Sequence, residues 1–161
     1  MLRRLLLLTA LIATPAQARD ALGVFGQWAT FRDTLALRCY AIAMPHTATQ
    51  GQEFQPFATV AWWPRQKVNG QVHFRLSRKL QPGAPVTLTI AGKHVALVGG
   101  GADAWAAYKR GDAMVMAAMR SATEMTVSGR DSSGQTFANS YKLDGAATAM
   151  DAAAVGCAQL R

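Results

Sequence analysis

The stretch VHFRLSRK, residues 72–79, decides the fold class of this protein. Val72, Phe74 and Leu76 alternate with polar or charged side chains, and this period of two is typical of an antiparallel strand with one buried face. The turn residues Asn69-Gly70 come just before it. The pattern therefore predicts a half-buried strand that needs partners from the sequence on either side.

Similar short strands are predicted before and after this stretch. Those before it each end at a turn or a proline, and they cover residues 28–32, 38–44 and 57–63. After it, residues 86–90 and 94–98 alternate in the same way and predict a hairpin, and the glycine run 99–101 is expected to break the sheet. Strands that follow one another about every dozen residues are typical of a sandwich or a barrel.

The last third of the chain changes period. Asp112 is expected to cap a short buried helix with residues 113–119 as its body, because these are good helix formers. Residues 123–128 and 135–142 predict a hairpin around a turn at 131–134. Apolar residues then recur at spacings of four and three, which predicts a terminal helix with this buried stripe: Leu143, Ala147, Met150, Ala154 and Cys157.

The predicted fold is mainly β, an antiparallel β-sandwich-like domain with a short helix before the last hairpin and a C-terminal helix. The 161 residues fit one domain of ordinary size. Half of them are apolar and 16% are charged, which excludes a disordered chain and a membrane protein with many spans.

The first 18 residues have the pattern of a secretory signal peptide. Two arginines precede an apolar run at 5–13, and Ala16-Gln17-Ala18 matches the small-residue pattern after which signal peptidase cleaves. The run is far shorter than the ~20 residues that a membrane helix needs, so no membrane span is expected. Residues 1–18 are thus predicted to be removed on export, leaving 19–161 as a single domain.

Export gives the two cysteines, Cys39 and Cys157, a specific meaning. An oxidising compartment favours disulfides over free thiols, and these are the only cysteines of the chain. The 118 positions between them do not match the close pair of a thioredoxin-like redox motif. We therefore expect a structural disulfide, with two free buried thiols as the alternative.

The segment around the last predicted hairpin resembles a known family. Residues 111–120, followed by Phe137-x-x-Ser140-Tyr141-x-Leu143-x-Gly145-x-x-x-Ala149 and the helix with Cys157, resemble the invasion-associated locus B family of bacterial exported proteins. The resemblance covers 103–157. The chain lacks the additional central cysteines of more typical members. The resemblance implies a bacterial protein, periplasmic or secreted, whose β-sandwich-like domain at 19–161 is closed by the disulfide, and in which a Leu-x-Gly turn starts a closing helix rich in alanine. The family's name implies no function here, because the wider group occurs in bacteria that invade nothing.

The sequence contains no strong catalytic, metal or cofactor motif. The three histidines, His46, His73 and His94, lack the spacing of metal ligands, and Gly-x-Ser-x-Gly is absent. The glycine run 99–101 lacks the Lys-Ser/Thr ending of a phosphate-binding loop. We therefore expect no catalytic residues, no metal and no cofactor. The alternative is a small periplasmic hydrolase or accessory enzyme whose site is assembled from distant residues.

Basic charge is the remaining functional signal. Removal of the first 18 residues leaves 15 basic residues against nine acidic ones. Five of the basic residues lie within 15 positions, just after Trp63: Arg65, Lys67, Arg75, Arg78 and Lys79. This cationic hairpin with an aromatic root is expected to bind an anionic envelope component or an envelope protein, and not nucleic acid, from which export separates it.

The same pattern has a purely structural alternative. The basic side chains could simply solvate a strand face and discourage edge pairing while one or both tryptophans fill the core. If the five basic residues share one exposed face, replacing Arg75, Arg78 and Lys79 by glutamine is expected to leave stability nearly unchanged, because exposed substitutions usually cost within ~0.5 kcal/mol; a large loss would indicate that they serve the fold.

Overall fold

A computed structural model describes residues 19–160, and the predicted signal peptide at 1–18 lies outside the described residues. Within 19–160, eleven strands form one antiparallel sheet with the order β1-β2-β3-β5-β6-β9-β8-β7-β10-β11-β4. The strands are β1 (Asp20–Phe25), β2 (Trp28–Asp33), β3 (Arg38–Ala43), β4 (Thr47–Ala48), β5 (Phe57–Trp63), β6 (Val68–Arg75), β7 (Val86–Ile90), β8 (Lys93–Gly100), β9 (Asp103–Ala106), β10 (Glu124–Arg130) and β11 (Thr136–Lys142). The helices of this region are α1 (Tyr108–Met119) and α2 (Ala146–Ala158), with a 3-10 turn at Pro64–Gln66.

The sheet curls until its two edges approach each other. Only three residues separate the end of β3 from β4, yet β4 pairs with β11 on the opposite side of the sheet order. The backbone N–H of Gln27 donates to the carbonyl of Asp144, and the indole Nε1 of Trp28 donates to the carbonyl of Lys142 at 3.0 Å. These bonds join the first strands to the end of the last hairpin, so the sheet encloses its own core.

The core fills the inside of this curl, where the strands' alternating side chains meet. In β7, for example, Val86, Leu88 and Ile90 are buried and the threonines between them are not. Helix α2 packs on β1, β2, β3 and β5, and α1 packs on β6, β7 and β9. The buried Thr30 of β2 donates its hydroxyl hydrogen to the carbonyl of Ala149 in α2 at 3.0 Å. Burial of apolar faces therefore places both helices against the sheet.

The predicted fold class is confirmed: the protein is mainly β, with a helix before the last hairpin and a C-terminal helix. The strands predicted at 57–63 and 86–90 coincide with β5 and β7. Strands β1, β4 and β9 have no counterpart in the prediction. The predicted stripe is correct at Leu143, Met150 and Cys157, which are buried, and one position off at Ala147 and Ala154, because Ala146 and Ala153 are the buried alanines there.

The strand predicted at 72–79 is displaced, because Gly70 does not form a turn. β6 begins at Val68 and ends at Arg75, and Gly70 lies inside it at an irregularity in the pairing with β5. Its φ of +89° suits glycine, and a Cβ there would lie 2.5 Å from the sulfur of Met116 in α1. The glycine therefore lets a helix side chain approach the strand.

The glycine run at 99–101 does not break the sheet. Gly99 and Gly100 belong to β8, where they pair with Ala104 and Asp103 of β9. A Cβ on Gly99 would lie 2.6 Å from a methyl carbon of Leu80. Glycine is thus needed inside this strand because core side chains occupy the space of its missing Cβ.

Candidate anion-binding surface

The structure divides the predicted cationic hairpin between the two ends of β6. Arg65 and Lys67 lie in the connection before β6, whereas Arg75 is its last residue and Arg78 and Lys79 follow it. The eight residues of β6 span roughly 25 Å at ~3.3 Å per residue. The five side chains are therefore not brought together on one surface.

At the far end of β6, two of these arginines are held in ion pairs. Arg75 pairs with Asp103 at 2.6 Å, and its guanidinium carbon lies 4.9 Å from the ring centre of Phe54. Arg78 pairs with Asp131 at 2.9 Å, and the Asp131 side chain is only 2% exposed. Arg78 thus neutralises a buried carboxylate and is not the free, exposed cation that the hairpin prediction assumed.

At the near end of β6, the fold adds two cations to Arg65 and Lys67. Because β9 runs antiparallel to β6, the chain leaves β9 beside the start of β6 and enters α1 through Tyr108-Lys109-Arg110. All four basic side chains are exposed, and none of them takes part in an ion pair within residues 19–160. We call these residues the basic cluster: Arg65, Lys67, Lys109 and Arg110.

A cleft of about 330 Å³ between β6 and α1 joins the two halves of the basic cluster. Lys67 and Lys109 both line it, together with the exposed amides of Asn69 and Gln71 and the ring of Tyr108. Ammonium and amide N–H groups are donors, so this lining can bind the oxygens of a phosphate, sulfate or carboxylate group. The polar part of the cleft therefore consists mainly of groups that donate hydrogen bonds.

One carboxylate opposes this charge. Asp112 of α1 also lines the cleft, and its Oδ1 accepts a hydrogen bond from the backbone N–H of Val72 at 2.8 Å. Burial raises the pKa of Asp112 above its usual value, and the Val72 bond offsets part of that effect. The prediction that Asp112 caps this helix is wrong, because Asp112 lies inside α1. Its role is to hold α1 to β6 while setting the charge of the cleft.

The predicted Cys39–Cys157 disulfide is confirmed and lies beside this surface. It joins β3 to the last turn of α2 with the two Cα atoms 5.5 Å apart, and both cysteines are buried. A second cleft, of about 500 Å³, runs from the disulfide to Lys67 and is lined by Trp62, Pro64, Lys67, Asn69, Ala154, Cys157 and Ala158. The disulfide therefore secures α2 next to the connection that carries Arg65 and Lys67.

The two neighbouring tryptophans have different roles. Trp62 packs against the core and the disulfide. Trp63, the predicted aromatic root, is half-buried with its ring centre 5.1 Å from the guanidinium of Arg38. The structural alternative thus holds for Trp62, whereas Trp63 packs at the rim of the sheet with no place in the cleft.

The histidines do not converge on a metal site. Residues 19–160 contain no group of three or more His, Cys, Asp or Glu side chains placed to hold a metal ion. No helix of this region is long and apolar enough to cross a membrane. Each histidine has a different polar neighbour: Glu124 for His46, Asp103 for His73 and Thr89 for His94.

Lys109 and Arg110 have only a weak signal in the sequence. They are two adjacent cations just before a predicted helix, a common feature of solvated chain. Their place next to Lys67 depends on the pairing of β6 with β9, which local patterns do not show. Sequence reasoning therefore found half of the basic cluster and missed the other half.

The chain was compared with known proteins. No curated protein and no solved structure matches it. A family model described as "Invasion associated locus B (IalB) protein" matches residues 28–154, which include every strand from β2 to β11 and the whole of α1. The match extends well beyond the segment 103–157 in which the sequence resemblance was found. The chain belongs to the invasion-associated locus B family.

Proposed function

We propose that this protein is an exported, non-enzymatic protein that binds an anionic component of the bacterial envelope through the basic cluster. One observation carries the proposal: two segments about 40 positions apart place Lys67 and Lys109 in one cleft, each with an exposed arginine close by in the chain, and none of the four has an ion-pair partner within residues 19–160. Other cations of the fold do have carboxylate partners, among them Arg32, Arg75, Arg78, Arg120 and Lys142.

Charge physics supports this function. Like charges gathered on one surface repel one another, and an anionic ligand removes that repulsion and gains attraction. Surface charges are screened over ~10 Å at 0.1 M salt, so the interaction should weaken steeply as salt rises. Export is supported by the family and by the Cys39–Cys157 disulfide, because disulfides persist in oxidising compartments.

The test measures retention of the mature protein on vesicles of phosphatidylglycerol, with neutral phosphatidylcholine vesicles as the reference. Salt is set at ~0.01 M and ~1 M, where the screening length is ~30 Å and ~3 Å. We expect strong retention only on the anionic vesicles at low salt. Equal retention on both kinds of vesicle, or none on either, would overturn the proposed function.

A matched pair of variants locates the surface. Lys67→Gln with Lys109→Gln removes two charges from the cleft, and Lys79→Gln with Lys93→Gln removes two equally exposed charges elsewhere. We expect the first variant to lose most of the retention at low salt and the second to keep most of it. Because Lys79 belongs to the hairpin predicted from sequence, the reverse result would favour that hairpin over the basic cluster. Equal losses would show that only net charge matters.

A further inference from the structure

Tyr108 is exposed and strained at the same time. The residue is 88% exposed, the highest value among the large hydrophobic residues of 19–160. Its φ is +64°, in the left-handed region that disfavours residues other than glycine. A tyrosine here thus works against the folded state while burying almost nothing.

No side-chain hydrogen bond or aromatic stacking within the described chain offsets the cost of this backbone conformation at Tyr108. Within the described chain its hydroxyl makes no side-chain hydrogen bond and its ring stacks on no other aromatic ring. Strained residues persist where function needs them, so the role of this ring lies outside the protein's own packing.

The surroundings of Tyr108 identify the partner. Lys67 and Lys109 line the same cleft as its ring, and Arg110 follows at once in the chain. A tyrosine ring has an apolar body and a polar tip, and such rings sit at the headgroup level of a bilayer while cations pair with lipid phosphates. A soluble polyanion that offers no apolar or stacking surface would engage only the cations and leave the ring in water.

We propose that Tyr108 is an interfacial anchor, inserting its ring among the headgroups of an anionic lipid bilayer while the basic cluster binds their phosphates. This inference rests on the proposed function and names its partner as a lipid surface. The left-handed backbone at Tyr108 directs the ring outward at the start of α1, beside the cleft.

The experiment separates the ring from the charges. Tyr108→Gly removes the ring at a position where glycine suits the backbone, so the midpoint of thermal unfolding should stay the same or rise. Retention on phosphatidylglycerol vesicles at low salt should fall about tenfold, the effect of leaving a large side chain unburied. Tyr108→Asn, which also tolerates the left-handed region, should repeat the result.

Two controls define the alternatives. Val24→Ser changes a side chain that is 76% exposed on β1 and should leave retention unchanged. Heparin serves as a soluble anionic polymer, and its affinity should be the same for the parent and for Tyr108→Gly. An equal loss of affinity for heparin and vesicles would overturn the lipid surface as partner in favour of a polyanion.

The remaining outcomes separate this inference from the proposed function. If Lys67→Gln with Lys109→Gln weakens retention but both Tyr108 variants bind vesicles as the parent does, the anchor is refuted and the basic cluster stands. If the parent itself does not distinguish anionic from neutral vesicles, both are refuted. A lower thermal midpoint in both Tyr108 variants would show that the ring serves the fold.

Discussion

Removal of the Cys39–Cys157 disulfide should cost the protein a large share of its stability. The variant is Cys39→Ala with Cys157→Ala, because both side chains are buried and alanine brings no polar atom into their place. Without the bond, the last turn of α2 keeps only the small apolar cluster around Ala153 and Trp62 as its anchor to β3 and β5. The rest of α2 stays docked through Met150, which is fully buried.

The magnitude follows from the loop that the bond closes. The two cysteines are 118 positions apart, and in the chain-entropy model a loop of that length lowers the free energy of folding by about 4.9 kcal/mol at 25 °C. Domains of this size are stable by roughly 5–15 kcal/mol. The variant should therefore lose between a third and nearly all of its stability, mostly through a freer unfolded chain.

Urea unfolding, monitored by tryptophan fluorescence, measures this loss of stability. The oxidised parent, the reduced parent and the alanine variant are compared, and reduction should bring the parent close to the variant while leaving the variant unchanged. Hydrogen exchange should speed up most in the last turn of α2. A loss below about 1 kcal/mol would refute the loop-closure reasoning.

The remaining predictions concern the two carboxylates that the structure singles out. Asp112→Asn keeps an oxygen acceptor for Val72 and removes a charge from the cleft, so vesicle retention at neutral pH should increase. Because burial raises the pKa of Asp112, the parent should gain binding and stability relative to the variant as pH falls through that pKa; a difference between the two that does not change with pH would contradict this. Arg78→Gln should cost about 3 kcal/mol in urea unfolding, because Asp131 stays buried without its partner, while the exposed neighbour Lys79→Gln should stay within ~0.5 kcal/mol. Equal midpoints for these two variants would show that the ion pair is dispensable.

Local patterns were sufficient for most of the fold. The alternation in β5 and β7 depends only on residues two apart, and the stripe of α2 on residues three and four apart, so these elements are visible without knowing their partners. The disulfide was predictable for a different reason, since the chain has only two cysteines and the pattern of an exported protein.

Long-range pairing decided what local patterns could not show. Gly70 and Gly99 are residues typical of turns, yet both lie inside strands. Glycine is needed at these positions because Met116 and Leu80 occupy the space that a Cβ would fill. Likewise Asp112 has the chemistry of a helix cap, and only the packing of α1 on β6 gives it the N–H of Val72.

The binding surface shows the same division. That the protein is basic and carries cations beyond its carboxylates is determined by composition alone. The tertiary structure decides which cations remain unpaired. Arg75 and Arg78 form ion pairs with carboxylates that lie far from them in the sequence. The pairing of β6 with β9, in contrast, brings Lys109 to the cleft that Lys67 also lines. Charge is a property of the residue, but an unpaired charge is a property of the fold, since it depends on which distant residue lies within reach.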